Sequence, residues 1–300
     1  MNRLLKCGSA GLLMLALILG CACSKTDQAD GNIEQILQNF PESEEESMEY
    51  PNGEDLVKIM KAICTQTAAS DQQDGYLITE ERMGMTKYDL VFTSDGKFYE
   101  IKTLQSIPAE EINFGGSSVN ALCIDGKKQT NINLSQNLYG SYQVTSIFNR
   151  DPVYSGDLIE QMSQPLFEAV SCSPAILENF SDQFTAWKAV DGDGSGNTLL
   201  TIGWKAIDRN ELTEKISSSR YAKAGNILPA ENLFFFTANI PDAGSEFLMD
   251  SWNLASGGAS HMGYQGERMT SDLTSQEDFW IQCFASLPQE NDLIEVPSYD

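Results

Sequence analysis

The segment from Asp191 to Gly196 carries the side-chain oxygens most suggestive of a metal site. Asp191, Asp193 and Ser195 stand at alternate positions and are followed by glycine, as at the start of a calcium-binding loop. An EF-hand loop closes with a bidentate glutamate at its twelfth position, where this chain has Ile202. The flanking residues alternate in the manner of strands. We therefore interpret the segment as a hairpin tip and predict no metal site.

Nucleophilic and cofactor-dependent chemistry has no recognisable motif in the sequence. The nucleophile elbow of α/β-hydrolases, the GxxxxGK[ST] and GxGxxG loops, the HExxH motif and paired CxxC motifs are absent. The single histidine, His261, follows Ser260 in a glycine-rich stretch, and sequence adjacency alone does not make a catalytic pair. We expect no cofactor and favour a non-enzymatic protein. The 43 acidic residues leave a carboxylate-dependent hydrolase open as an alternative.

Aromatic residues concentrate in the last third of the chain and suggest a site for an apolar ligand. Consecutive residues of a strand point to opposite faces of a sheet, so runs such as Phe234-Phe235-Phe236 place large rings on both faces. Either a helix covers the second face or the rings line a cavity. The predicted ligand-binding residues are Phe234, Phe235, Phe236, Trp252, Phe279 and Trp280.

Length and charge restrict the class of protein. The chain has 300 residues, of which 41% are hydrophobic, and this is enough to form a core. Its 19 basic and 43 acidic residues give a formal charge of -24, which repels the phosphates of nucleic acids. Global disorder and nucleic-acid binding are therefore excluded.

The amino terminus has the pattern of an export signal. Arg3 and Lys6 precede an uncharged apolar run from Gly11 to Gly20, which is too short to span a bilayer. The run ends in Ile18-Leu19-Gly20-Cys21 and resembles the lipobox of bacterial lipoproteins. The resemblance implies that residues 1–20 are a signal peptide, and that Cys21 becomes the acylated amino terminus, with palmitate as one expected acyl group. Cys23 is a weaker competing site.

A lipid anchor on Cys21 implies a location on the outer face of a bacterial cell membrane, because acyl chains hold a protein at a membrane without a spanning helix. Beyond the anchor, residues 21–54 are predicted to form an acidic, flexible tether, since no Lys or Arg occurs from Thr26 to Val57. Within it, Ile33, Ile36, Leu37 and Phe40 share one face of a short helix that could dock on the body or touch lipid.

The remaining chain is predicted to form one domain over residues 55–290, followed by an acidic tail over 291–300. A helical stripe begins at Leu56 and ends at Cys64, and hairpins surround the Asp95-Gly96 and Asp125-Gly126 turns. Residues 157–180 are predicted to form an interrupted helical insertion. The later predicted elements are a hairpin over 184–207, a short helix over 208–216, and strands over 233–240, 247–254 and 279–287.

These elements predict an α+β fold: a largely antiparallel sheet that could form a half-barrel, with the helices of 56–64 and 157–180 packed on one face. The order of elements loosely resembles LolA-type half-barrels of exported lipoproteins, a likeness that assigns no residue roles. On it rests the leading hypothesis, a non-enzymatic, membrane-tethered module that binds an apolar or amphipathic ligand. The alternatives are an interaction module for another cell-envelope protein and a surface hydrolase. Cys64, Cys123 and Cys283 are predicted to be buried free thiols, although export also permits disulfides.

Overall fold

The computed structural model describes residues 27–49, 51–82, 85–106, 118–136, 141–171, 173–192, 198–222, 233–240, 248–255, 264–270, 273–288 and 293–294. The chain forms two compact units, residues 1–39 and 40–300. In the first unit, helix α1 (Asp27–Gln38) confirms the short helix predicted around Ile33. Among the described residues, no helix has the length and apolar character needed to cross a membrane.

The second unit combines helices with a large sheet. Its helices are α2 (Glu44–Ser47), α3 (Gly53–Ser70), α4 (Leu158–Ser171), α5 (Pro174–Asn179), α6 (Arg209–Ser217) and α7 (Thr274–Ser286). Its strands are β1 (Tyr76–Arg82), β2 (Met85–Ser94), β3 (Lys97–Ser106), β4 (Ser118–Asp125), β5 (Lys128–Gln136), β6 (Tyr142–Arg150), β7 (Phe184–Gly192), β8 (Thr198–Ala206), β9 (Leu233–Ile240), β10 (Leu248–Ala255), β11 (Tyr264–Met269) and β12 (Leu293–Ile294).

All described strands belong to one antiparallel sheet, which confirms the predicted α+β class. The strand order is β12-β6-β5-β4-β3-β2-β1-β11-β10-β9-β8-β7, so two meanders meet where β1 pairs with β11. The sheet is open, with edges at β12 and β7. The turn between β2 and β3 has positive φ at Asp95 (50°) and Gly96 (74°), as a two-residue hairpin with the right-handed strand twist requires.

Helices α3 and α4 pack together and against the sheet, as predicted for one face. The hydroxyl of Tyr76 on β1 donates to the carbonyl of Met162 on α4. Near the carboxyl end of α3, Thr67 Oγ1 accepts a hydrogen bond of 2.8 Å from the backbone N–H of Met249 on β10. Asp71 forms a 2.6 Å ion pair with Arg268 of β11. These bonds fix the helical layer over the strands.

The prediction of a strand over residues 279–287 is wrong, because this segment belongs to helix α7. Gln276, Trp280, Cys283 and Phe284 recur at helical spacing and are the buried residues of α7. They cover the face of the sheet that α3 and α4 leave free. The apolar core under α7 comprises Leu77, Leu90, Phe92, Tyr99, Ile101, Val119, Ala121, Cys123, Ile132, Leu134, Tyr142, Val144, Leu273, Trp280, Cys283 and Phe284.

Pro41 and Asn52, in the segment predicted as an acidic spacer, contact the β7 edge of the sheet. The backbone N–H of Lys188 donates to the carbonyl of Pro41 over 2.9 Å. Asn52 Oδ1 accepts from the backbone N–H of Ala186 over 2.7 Å, and Asn52 Nδ2 donates to the carbonyl of Ala186 over 2.9 Å. Phe40 is buried at 4% exposure. This segment therefore satisfies part of the hydrogen-bonding potential of an edge strand.

Candidate functional site

The candidate site begins with charged residues at alternate positions of β2 and β3. The turn at Asp95-Gly96 sets the register of this hairpin, which places Asp89 directly opposite Lys102. Glu100 precedes Lys102 by two residues and therefore shares its face of the sheet. Asp89 and Glu100 are each only 2% exposed, because α4 packs against these strands. The sheet thus holds two carboxyl groups out of water.

A single ammonium group links the buried carboxylates. Lys102 Nζ lies 2.7 Å from Glu100 Oε1, 3.7 Å from Asp89 Oδ2 and 3.4 Å from Glu168 Oε2 of α4. Lys87 Nζ reaches the same Asp89 oxygen at 4.0 Å. The other oxygen of Asp89, Oδ1, has no hydrogen-bond partner among the described residues. Acidic groups therefore outnumber the cations that pair with them in this cluster.

Tyr154 closes the cluster from the loop between β6 and α4. Its hydroxyl donates to Glu100 Oε1 over 2.8 Å and accepts from Lys102 Nζ over 3.3 Å. The ring packs edge-on against Phe98, with centroids 5.6 Å apart. The aromatic contact holds the hydroxyl in place over the carboxyl group.

Burial governs the protonation of this cluster. Desolvation, and then the charge of Asp89, raises the pKa of Glu100 to about 8 despite the opposing effect of Lys102. Burial also raises the pKa of Asp89, against the lowering effect of Lys102 and Lys87. Burial alone would lower the pKa of Lys102, but the neighbouring carboxylates raise it above its ordinary value. At neutral pH the ammonium of Lys102 is charged and Glu100 is largely protonated.

Beside this cluster opens a cleft of about 550 Å³, a volume typical of small-molecule sites. Strands β3 to β6 form its floor, while the loop after β6, helix α4 and the start of α5 form its walls. Two of its lining side chains, Phe148 and Val153, are large and apolar yet 42% and 47% exposed. The cleft thus combines exposed apolar surface with polar and charged groups.

The polar part of the floor contains an ordered pair of amides. Gln129 Oε1 accepts from the backbone N–H of Val153 over 2.8 Å, and Gln129 Nε2 donates to Asn131 Oδ1 over 2.8 Å. Asn131, which lines the cleft and is 7% exposed, retains an Nδ2 group with no partner among the described residues. Arg150, at the end of β6, also lines the cleft. Asn131 and Arg150 thus line a space large enough for a ligand.

Of the aromatic residues predicted from the sequence, Phe279 and Trp280 are not among the described residues that line this cleft. By backbone position, Phe234, Phe235 and Phe236 lie on β9, and Trp252 of β10 pairs with Phe236. The side chains of these four residues lie outside what the structure describes. Phe279 and Trp280 lie on α7, where Trp280 is fully buried in the apolar core.

Several other residues singled out in the sequence also lie outside the described part of the chain. They are Cys21, Cys23, Cys172, Asp193, Ser195 and His261. Cys64, Cys123 and Cys283 are buried free thiols, and burial raises the pKa of each. Within the described ranges, no three His, Cys, Asp or Glu side chains converge as a metal site would require.

Sequence reasoning missed the charged cluster, although one signal was present. A two-residue turn at Asp95-Gly96 determines the strand register, so the pairing of Asp89 with Lys102 follows from the sequence. Alternating charges are normal on a solvent-facing sheet surface. Only the packing of α4 shows that this face is buried.

Comparison with known proteins provides no further assignment. The chain matches no protein-family model, and a search of curated proteins finds no similar sequence. The function must therefore be argued from the residues and their geometry.

Proposed function

We propose that the protein is an exported lipoprotein, tethered to a bacterial membrane through Cys21, whose folded domain is a non-enzymatic module that binds a small amphipathic ligand. The tether rests on the apolar run and the Ile18–Cys21 pattern of the sequence. The ligand site is the cleft over β3–β6. Binding energy would come from apolar contacts, with polar groups that orient the ligand.

The observation that carries the binding proposal is the exposed apolar surface inside the cleft. Large apolar side chains are usually buried, and exposed ones that cluster in a concavity mark interaction sites. Phe148 and Val153 lie beside buried polar groups in a space of about 550 Å³. A ligand with both apolar and polar parts matches both kinds of wall.

Fluorescence titration of the mature chain tests this proposal. Residues 21–300 with Cys21→Ser lack the acyl groups, and dansylundecanoic acid serves as the amphipathic probe. We expect saturable binding that Val153→Ala weakens. Val190→Ala is the matched control, because Val190 is an exposed valine, 55% accessible, that does not line the cleft. Absence of saturable binding, or equal effects of the two variants, would contradict the cleft as the site.

The tether has its own test. Cys21→Ala should abolish metabolic labelling with palmitate and release the protein from membranes, because no other strong anchor is apparent in the sequence. Cys23→Ala is the control and should leave labelling intact. Labelling that persists in Cys21→Ala and disappears in Cys23→Ala would move the anchor to Cys23.

A carboxylate-dependent hydrolase is the second candidate, favoured by one observation. Glu100 and Glu168 both line the cleft, and both contact Lys102 and the Tyr154 hydroxyl. A protonated and an ionised carboxyl group are the pair that glycosidases use. However, Glu100 is 2% exposed and already bonded by Tyr154, so a substrate oxygen has little access to it. Turnover of nitrophenyl glycosides that is lost in Glu168→Gln would support this candidate over simple binding.

A further inference from the structure

Asn131, which lines the cleft, carries an unpaired hydrogen-bond donor and not an unpaired acceptor. The backbone N–H of Val153 can only donate, so the Gln129 atom facing it must be the oxygen Oε1. Gln129 Nε2 then faces Asn131 and donates to it, so the contacting atom of Asn131 must be Oδ1. The remaining atom, Nδ2, lacks a partner within the described structure. A buried donor without an acceptor destabilises the unliganded fold and favours a ligand that supplies one.

Arg150 is the cleft cation whose charge is not matched by neighbouring carboxylates. Lys102 already contacts three acidic side chains. Arg150 forms no ion pair with any carboxylate in the described part of the chain. Its side chain is exposed, and its guanidinium offers several donors suited to a carboxylate or phosphate. The rim of the cleft therefore carries an available positive charge.

The strand register brings these donors and the apolar surface together. On β5 and β6, Gln129 lies opposite Arg150 and Asn131 lies opposite Phe148. Arg150 and Asn131 are thus diagonal neighbours, whose backbones are about 7–8 Å apart on one face of the sheet. A headgroup of a few atoms can contact both. Phe148 and Val153 line the same cleft as Asn131 and Arg150, so an apolar chain attached to that headgroup can pack on them.

We infer that the ligand is an anionic amphiphile, with a carboxylate or phosphate head that accepts hydrogen bonds from Arg150 and Asn131 Nδ2 and an apolar chain that packs on Phe148 and Val153. The inference rests on the proposed binding function and names its ligand class. The chain as a whole carries a charge of -24 and repels anions. Preferential binding of an anion must therefore arise from local contacts, and the Arg150 and Asn131 variants test whether those contacts lie in the cleft.

The test compares dansylundecanoic acid with its methyl ester, on the mature chain bearing Cys21→Ser. The two probes share the apolar chain and fluorophore and differ in the anionic head. We expect the acid to bind at least about tenfold more tightly, since hydrogen bonds to a charged group are stronger than those between neutral groups. Arg150→Gln should remove this preference, because it should weaken acid binding much more than ester binding. Arg209→Gln is the matched control, because Arg209 is exposed on α6 and does not line the cleft.

Asn131→Asp tests the donor directly. Aspartate keeps an oxygen for Gln129 and replaces the Nδ2 donor with a second oxygen, so acid binding should fall more than ester binding. Asn131→Ala, which removes the donor without adding charge, should reduce acid binding less than Asn131→Asp does. Thermal melts of both variants establish that the fold is retained.

The outcomes separate this inference from the proposed function. Saturable binding of both probes with equal affinity overturns the anionic head but keeps the amphipathic site. Equal loss of acid binding in Arg150→Gln and Arg209→Gln also overturns it. Absence of binding by either probe overturns both proposals. Dodecyl phosphate and dodecanoate distinguish the two heads by competition, and displacement by inorganic phosphate alone would overturn the amphiphile in favour of a simple anion site.

Discussion

The two faces of strands β2 to β5 differ in composition and in how helices cover them. On one face, alternate residues such as Leu90, Tyr99 and Ile132 form an apolar core that α7 closes. On the other, the intervening residues include Asp89, Glu100 and Asn131, and the layer of α4 and α5 leaves a cleft. The same strands therefore serve two purposes, because successive side chains point in opposite directions.

The apolar face therefore contributes mainly to stability, whereas the cleft face is the one suited to binding a ligand. The apolar face gains free energy from the burial of its side chains. The cleft face keeps carboxyl and amide groups away from water, with Asp89 Oδ1 and Asn131 Nδ2 unpaired in the described structure. Burial of such groups costs free energy unless they gain partners. Sites where local rules of stability are broken are where function is expected.

Matched substitutions on the two faces should give the largest contrast in stability. Ile132, which is 0% exposed in the apolar core, and Leu122, which is 9% exposed in the cleft floor, lie on neighbouring strands. Ile132→Asn should lower the free energy of unfolding by at least about 4 kcal/mol, because it loses apolar contacts and buries an unpaired amide. Leu122→Asn should cost about 1–2 kcal/mol, since water in the cleft can solvate the amide. Denaturation in urea measures both, and equal losses would show that the cleft face is as tightly packed as the core.

Glu100→Gln should reveal the cost of the buried charge cluster through pH. The folded state retains the Glu100 proton up to about pH 8, whereas the unfolded chain releases it near 4.5. The wild type therefore loses stability as pH rises through this window, and the raised pKa of Asp89 acts in the same direction. We expect Glu100→Gln to raise the Tm by several degrees at about pH 8 and to change it little near pH 5.

Glu168→Gln is the control for this pH dependence. Its carboxylate contacts the same Lys102 but is 44% exposed, so Glu168→Gln should alter the slope of Tm with pH less than Glu100→Gln does. A Glu100→Gln variant whose Tm declines with pH as steeply as the wild type would show that Glu100 does not hold a proton in the folded state.

The sequence predicts the elements of this fold better than it predicts how they cover the sheet. Hairpins at Asp95-Gly96 and Asp125-Gly126 are encoded by local turn chemistry, and α3 and α4 by apolar periodicity. Helix α7 was mistaken for a strand because Phe279, Trp280 and Phe284 have high β-propensity. The spacing of its buried residues was the better signal, since packing overrides propensity.

The site was less accessible to sequence reasoning than the fold. The pairing of Asp89 with Lys102 follows from the hairpin register, but the burial of that pair depends on α4, which lies far along the chain. Likewise, the orientation of Asn131 depends on a backbone N–H of Val153, more than twenty residues away. Long-range packing of this kind has no local sequence pattern. The aromatic runs were conspicuous, yet Trp280 contributes to the core.

The smallest change in stability should come from Phe148→Ala. Phe148 is 42% exposed in the cleft, whereas Phe92 is 1% exposed on the opposite face and stacks on Tyr99 with centroids 4.7 Å apart. Phe92→Ala should cost about 3–5 kcal/mol, and Phe148→Ala no more than about 0.5 kcal/mol. Phe148→Ala should nevertheless weaken binding of dansylundecanoic acid, because the ring contributes to the ligand surface and little to the core. Urea denaturation together with the probe titration measures both effects, and a large loss of stability without loss of binding would assign Phe148 to the fold.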